Sequence, residues 1–335
     1  MKILICYGTR PEYIKIKPLL NKFKESNISF RTLNVRQHEN LVKDEADHVV
    51  FLRDVSISKN RLDLILSTVA DIEEGCFNDI THVLVQGDTA TALLCAIAAF
   101  HRQIPVIHLE AGLRTRDFEN PFPEEGYRQL ISRISSIHLC PTENNKKNLI
   151  DEKVNGEIYV VGNTVLDNLV SLKAKCSYND EVLVTLHRRE NHLIMKDWFM
   201  ALSKIAQSNP GITYTIPLHP NPNVLKYKNE LVGLNVIDPL PYEEFLKRFI
   251  SCRYLITDSG GIQEEASFLG KKVIVCRKVT ERPESIDINT IMCDNPDDLI
   301  KKEFLLRDNY VVEQNSIYGD GNSCSNIVRI LKNKE

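Results

Sequence analysis

The strongest constraint on this chain is its rhythm: short apolar runs alternate with amphipathic stretches of helical period along nearly the whole length. In the first half, Lys2–Tyr7, Ser29–Val35, His82–Gln86, Pro105–Leu109, Ile137–Cys140 and Ile158–Val161 read as strands. Helices are predicted over Pro11–Glu25, Arg61–Glu74 and Ala90–Arg102, with another containing Glu124–Ser135. In the second half the strands are Glu181–Leu186, Ile212–Ile216, Asn235–Ile237, Tyr254–Thr257 and Lys272–Cys276. The helices between and after them are Lys196–Gln207, Tyr242–Ile250 with Pro241 in its first turn, Gly261–Leu269 and Ser323–Lys332. Such alternation predicts α/β architecture, parallel doubly wound sheets with helices on both faces.

A chain of 335 residues is long enough for about two domains. The boundary is expected near Leu166–Asp180, where a polar stretch leads into a fresh strand. That gives an N-terminal domain over 1–168 and a second over 180–318. Two doubly wound domains with their strand ends facing each other would take a ligand in the cleft between them. The charge balance, 42 basic against 45 acidic residues for a net −3, carries no nucleic-acid footprint. An anionic ligand would therefore be met by local charges. The nine cysteines are odd in number, lack C-x-x-C spacing and mostly sit in apolar runs, so they read as reduced core thiols. With no signal segment before the first strand and no apolar run of bilayer length, the expected compartment is the cytoplasm, with no membrane partner.

Five motifs sit at strand ends. Gly8-Thr9-Arg10-Pro11-Glu12 follows the first strand, and Lys15 comes one turn later. A helix N-terminus with Arg10 beside it attracts anions, although a plain strand–helix turn with solvated charges would look the same. Asp88, Glu110 and Glu124 are carboxylates from successive strand–helix units that can converge on one sheet edge and move protons. Each taken singly is more often a helix cap, and it is the three in succession that favour function. His187-Arg188-Arg189 suits a diphosphate or is a surface charge cluster, and His219 follows a neighbouring strand without the pairing a zinc site needs. Ser259-Gly260-Gly261 opens a helix with bare backbone N–H groups suited to a phosphate, and Glu265 within that helix can accept ribose hydroxyls. Arg282, in Thr280–Glu284, is a further anion partner.

In order, GTRPE, VQGDTAT, HLEAGLRT, PFPEE, VGNTVLD, HRREN, PLHPNPNV, DSGGIQEEA, TERPE and YGDG resemble the motifs of the non-hydrolysing UDP-N-acetylglucosamine 2-epimerases, over roughly residues 1–330. The resemblance implies two Rossmann-like domains of the glycosyltransferase-B type, with the final segment 319–335 crossing back to the first domain. It implies conversion of UDP-N-acetylglucosamine to UDP-N-acetylmannosamine through a 2-acetamidoglucal, with no metal and no nicotinamide cofactor, in a homodimer. Carried over by motif, Asp88, Glu110 and Glu124 are the acid/base carboxylates, Lys15 a catalytic-site lysine, and His187 the group beside the diphosphate. Arg10, Ser259, Gly260, Gly261 and Arg282 become phosphate contacts and Glu265 the ribose anchor. A second, activating UDP-sugar site is implied as well, with Gln37, Arg188 and His219 as its candidates.

The sequence departs from the family in two places. Leu186 stands where many relatives carry a small residue, and Asn34–Asn40 matches the G-Q-H segment only in part. On these grounds a UDP-6-deoxy-N-acetylhexosamine stays open as substrate. Separately, the same carboxylates could activate water in a hydrolysing reaction that releases the free sugar. The chain could be a silent nucleotide-sugar binder, and the fold alone also admits a glycosyltransferase.

Overall fold

The run Lys2-Ile3-Leu4-Ile5-Cys6-Tyr7 is apolar at every position after the first, and it forms a strand buried on both faces. Ile3, Ile5 and Tyr7 join one core with Ile16, Leu19 and Phe23. Leu4 and Cys6 join a second core with Val83, Val85, Ala92 and Ala96. A strand's side chains alternate between faces, so one apolar run must be covered by helices on both sides. The computed structural model describes residues 1–36, 46–51, 66–67, 69, 72–171 and 176–334. Gln37 and most of the predicted helix Arg61–Glu74 lie outside the described residues.

The chain divides into two units, Met1–Val170 with Gly319–Glu335, and Ser171–Tyr318. The first unit holds strands β1 (Lys2–Tyr7), β2 (Ser29–Arg36), β3 (His48–Phe51), β4 (His82–Gln86), β5 (Val106–Leu109), β6 (Ile137–Cys140) and β7 (Glu157–Val160). They form one sheet in the order β3-β2-β1-β4-β5-β6-β7, and every pairing is parallel. The order reverses direction between β1 and β4, the switch point where open α/β sheets bind ligands. The helix Ser323–Lys332 belongs to this unit, its Ile327, Val328 and Leu331 packing into the core of Ile3 and Ile5. Its first turn is held by Asp167, whose carboxylate accepts the backbone N–H groups of Ser323 and Cys324.

The second unit holds β8 (Glu181–Thr185), β9 (Thr213–Pro217), β10 (Asn235–Ile237), β11 (Leu255–Thr257), β12 (Val273–Val275) and β13 (Thr290–Met292). Its sheet runs β10-β9-β8-β11-β12-β13, again all parallel, with the switch point between β8 and β11. Trp198, Phe199 and Leu202 of the helix Met195–Ser208 pack with Val182, Val184, Tyr214 and Leu299 in its core. Leu186, one of the two departures noted in the sequence, is buried in the same core. Pro241 precedes the helix Tyr242–Ser251 as its N-cap, one place earlier than the first turn expected for it. All nine cysteines are free thiols and all but Cys176 are buried. No described helix is long and apolar enough to cross a membrane.

Candidate functional site

In a parallel sheet all strands end on the same edge, so residues far apart in sequence meet there. In the first unit this edge collects Lys15, Gln86, Asp88, Glu110 and Asn163. Glu110 follows β5 with a left-handed backbone (φ 66°), which a residue with a side chain adopts only at some cost. Its buried carboxylate receives three donors: Nζ of Lys15 at 2.5 Å, Nε2 of Gln86 at 2.5 Å and Nδ2 of Asn163 at 3.0 Å. Gly87, with φ 70°, passes so close that a Cβ there would lie 3.3 Å from Oε2 of Glu110. Its carbonyl accepts a hydrogen bond from Nε2 of His108 at 2.8 Å. Burial pulls the His108 imidazole down from an ordinary 6.5 to about 4, so it is a neutral donor at physiological pH.

Asp88 is partly exposed and pairs with Arg128 at 2.6 Å. Arg128 also holds Glu125, which is fully buried and accepts the backbone N–H groups of Thr115 and Arg116. Glu125 therefore braces the loop after β5. Its neighbour Glu124, the candidate from the sequence, is the half-buried first residue of the helix Glu124–Ile134. In the first motif, Glu12 also has a bracing part. It closes a capping box with Thr9, accepts N–H from Gly8 and Thr9, and takes the Thr89 hydroxyl at 2.6 Å. Burial raises its carboxyl above the ordinary range, and these hydrogen bonds partly offset that rise. Arg10, beside it, starts the helix Arg10–Glu25 and is half-buried. A cavity of about 600 Å³ lined by Phe100, Pro105, Arg133, Ser136 and Asn155 opens at the opposite edge, where strands begin.

The second unit gathers its candidates at the β8/β11 switch point. His187 follows β8, and its ring stacks on His219 with centroids 5.0 Å apart and planes 12° from parallel. Burial lowers the tendency of His187 to take a proton, and Arg188 and His192 add to this, while Asp258 and Glu190 oppose it. The backbone N–H groups of His187 and Arg188 both donate to Asp258. Ser259 caps the helix Gly260–Leu269. Behind that helix start lies a buried cluster in which Arg282 donates to Glu264 at 2.7 Å and Glu281 at 2.5 Å, and Arg277 pairs with Glu281 at 3.0 Å. A Cβ on Gly260 would come within 2.6 Å of Arg282, whereas one on Gly261 would meet no described atom within 4 Å. Glu265 is buried and accepts the Tyr242 hydroxyl at 2.7 Å.

The sequence motifs include Glu110, His187 and Glu265, and Lys15 comes one turn after the first of them. They passed over the residues that hold these in place: Gln86, His108, Asn163, Tyr242 and Asp258. Gln86, Asn163 and Asp258 lie inside the motifs VQGDTAT, VGNTVLD and DSGG, so the signal was present without its partner.

Known proteins share this chain's sequence and backbone over nearly its whole length. Residues 52–332 match the family described as UDP-N-acetylglucosamine 2-epimerase. A UDP-N-acetylglucosamine 2-epimerase of Campylobacter jejuni is 37% identical across 100% of this chain and 99% of its own length. One from Escherichia coli (strain K12) is 34% identical, covering 99% of each. The crystal structure of UDP-GlcNAc 2-epimerase from Neisseria meningitidis bound to UDP-GlcNAc matches with a TM-score of 0.87 and 31% identity, covering 99% of this chain and 100% of that one. MurG of Acinetobacter baumannii, at 10% identity and a TM-score of 0.57, shares the fold alone, the glycosyltransferase-B type. Sequence identity running from end to end and a shared backbone fix the kinship: this chain is an isomerase belonging to the UDP-N-acetylglucosamine 2-epimerase family.

Proposed function

We propose that the protein inverts C2 of UDP-N-acetylglucosamine to give UDP-N-acetylmannosamine, eliminating UDP to a 2-acetamidoglucal and adding it back once a proton has returned on the other face. The reading rests above all on the Glu110 carboxylate, held at a strand end by Lys15, Gln86 and Asn163. The C2 proton of a sugar is weakly acidic, and its removal needs a base fixed within reach. Asp88 and Glu124 supply the further carboxylates that a two-sided proton transfer requires. UDP departs as an anion, so donors must already point at its oxygens. Arg10, His187 and the helix start at Ser259–Gly261 serve that purpose, Arg282 adds its positive charge from the buried cluster with Glu264 and Glu281 behind that helix start, and Glu265, steadied by Tyr242, anchors the ribose. The reaction needs no redox step, so these side chains suffice without a nicotinamide group. The working form is a homodimer.

Incubation with UDP-N-acetylglucosamine in D₂O, followed by NMR, tests the reading. Deuterium should enter C2 as the manno product appears. Asp88→Asn, Glu110→Gln and Glu124→Gln should each slow this by about 10²-fold or more while UDP still binds. Release of free N-acetylmannosamine, or full turnover by all three variants, would refute it. Inversion of a UDP-6-deoxy-N-acetylhexosamine alone would keep the chemistry and change the substrate.

A further inference from the structure

Asp258 follows β11 and is fully buried. Its two oxygens have different surroundings. Oδ2 accepts the backbone N–H groups of His187 at 2.9 Å and Arg188 at 2.8 Å, and Nδ2 of Asn191 at 3.1 Å. That side is a clamp tying the end of β8 to the end of β11. Oδ1 has no hydrogen-bond partner among the described residues. Nδ1 of His187 lies 3.7 Å from it, just beyond hydrogen-bond range. A rotation of the ring that shortens this distance would bring the two into hydrogen-bond range. A buried carboxylate oxygen without a donor is unfavourable, so the pull on Nδ1 is strong.

The charged and titratable groups around the ring come from three segments. Arg188, Glu190 and His192 belong to its own loop, Asp258 comes from the end of β11, and His219 stacks on it from the loop after β9. His192 also places its Nε2 at 3.1 Å from the carbonyl of His187. Among these, the Asp258 carboxylate is the acceptor recorded near Nδ1, at 3.7 Å.

We propose that Asp258 is the positioning residue of His187: its Oδ1 accepts a hydrogen bond from Nδ1–H of the ring, so that Nε2 meets the anionic ligand, and the imidazole takes up a proton at Nε2 when a diphosphate binds. This rests on the diphosphate role given to His187 above. The bookkeeping is one proton from solvent added to Nε2 and no other bond changed. The resulting imidazolium donates on both sides, from Nδ1 to Asp258 and from Nε2 to a phosphate oxygen. The same carboxylate–imidazole logic fixes a tautomer elsewhere in enzymes.

The competing account is that Asp258 acts only through the Oδ2 clamp. Asp258→Asn separates the two. An amide oxygen in the Oδ2 position keeps all three clamp bonds, while the amide NH₂ in the Oδ1 position donates to Nδ1 and imposes the opposite tautomer. The experiment is calorimetric titration of UDP into the full chain at neutral pH, in two buffers of different ionisation enthalpy. Wild type, Asp258→Asn, His187→Gln and the double variant are compared. Protons exchanged by UDP itself are common to all four and cancel in the differences.

The wild type should take up more protons than either single variant, and Asp258→Asn should bind UDP about tenfold more weakly. The double variant should bind no worse than His187→Gln, because the two residues act as one unit. Equal proton uptake in wild type and Asp258→Asn, or losses that multiply in the double variant, would overturn the proposal and leave the diphosphate reading standing. Failure of wild type to bind UDP would instead remove that reading and this one with it. If Asp258→Asn does not fold, wild type against His187→Gln still decides: no difference in uptake refutes the pairing.

Discussion

Gly260 and Gly261 are adjacent, yet their surroundings differ. A Cβ on Gly260 would press on Arg282 at 2.6 Å and Glu281 at 2.7 Å, inside the buried ion cluster. Gly260→Ala should therefore destabilise the second unit by about 1–3 kcal/mol in chemical denaturation, as overpacking does. A Cβ on Gly261 would meet no described atom, and alanine is the better helix former. Gly261→Ala should leave stability unchanged or raise it by up to about 1 kcal/mol. In the proposed site its methyl group stands where a phosphate approaches the backbone, so UDP affinity should fall about tenfold. Undiminished binding of UDP by Gly261→Ala would take that residue out of the site. The doublet was visible in DSGG, but the reason for each glycine was not. Gly260 depends on Arg282, a contact between positions well apart in the chain. Asp258 shows the same limit, because its partners lie 67 to 71 positions away.

At the level of elements, a neutral histidine adds to the bonds that tie the ends of β4 and β5. His108 donates to the carbonyl of Gly87 and fixes the turn that carries Asp88. Its folded-state value, about 4, lies below the ordinary 6.5, so folding disfavours the charged ring. The sign follows directly: above about 6.5 there is no penalty, and stability is lost as pH falls from there toward 4. His108→Gln keeps a donor and does not titrate. It should be less stable than wild type at neutral pH, and the gap should narrow by about 2 kcal/mol at about pH 4.5, read by urea denaturation. A constant gap would mean that the ring charges without penalty.

Elements with a clear period were legible in the sequence: β1, β4, β6, β10 and the helix Ser323–Lys332 fall where they were expected. The helix Glu143–Asp151 was missed because its buried face is Asn145, Asn148 and Leu149, which gives no apolar stripe. β13 has only three residues and is defined by its pairing with β12. The helix Pro296–Arg307 was missed although Asn295 caps it and Pro296 stands at its start, both local signals of a helix N-terminus.

At the level of the whole molecule, the first unit is assembled from two separate stretches of chain. Ile327, Val328 and Leu331 share one core with Ile3, Ile5 and Leu84. Each such side chain is worth about 1.5–3 kcal/mol when buried, against a total stability of about 5–15 kcal/mol. A chain ending at Tyr318 should lose the first unit and keep the second, whose core draws only on its own residues. Limited proteolysis should then leave a protected fragment covering Glu181–Arg307, and a protected N-terminal fragment would contradict this. During translation the same arrangement imposes a delay. The ribosome must produce all of Ser171–Tyr318 before the segment that completes the earliest-made sheet emerges, a wait on the order of ten seconds. The nascent second unit, contiguous along the polypeptide, can mature first, so the half synthesised earlier is finished later.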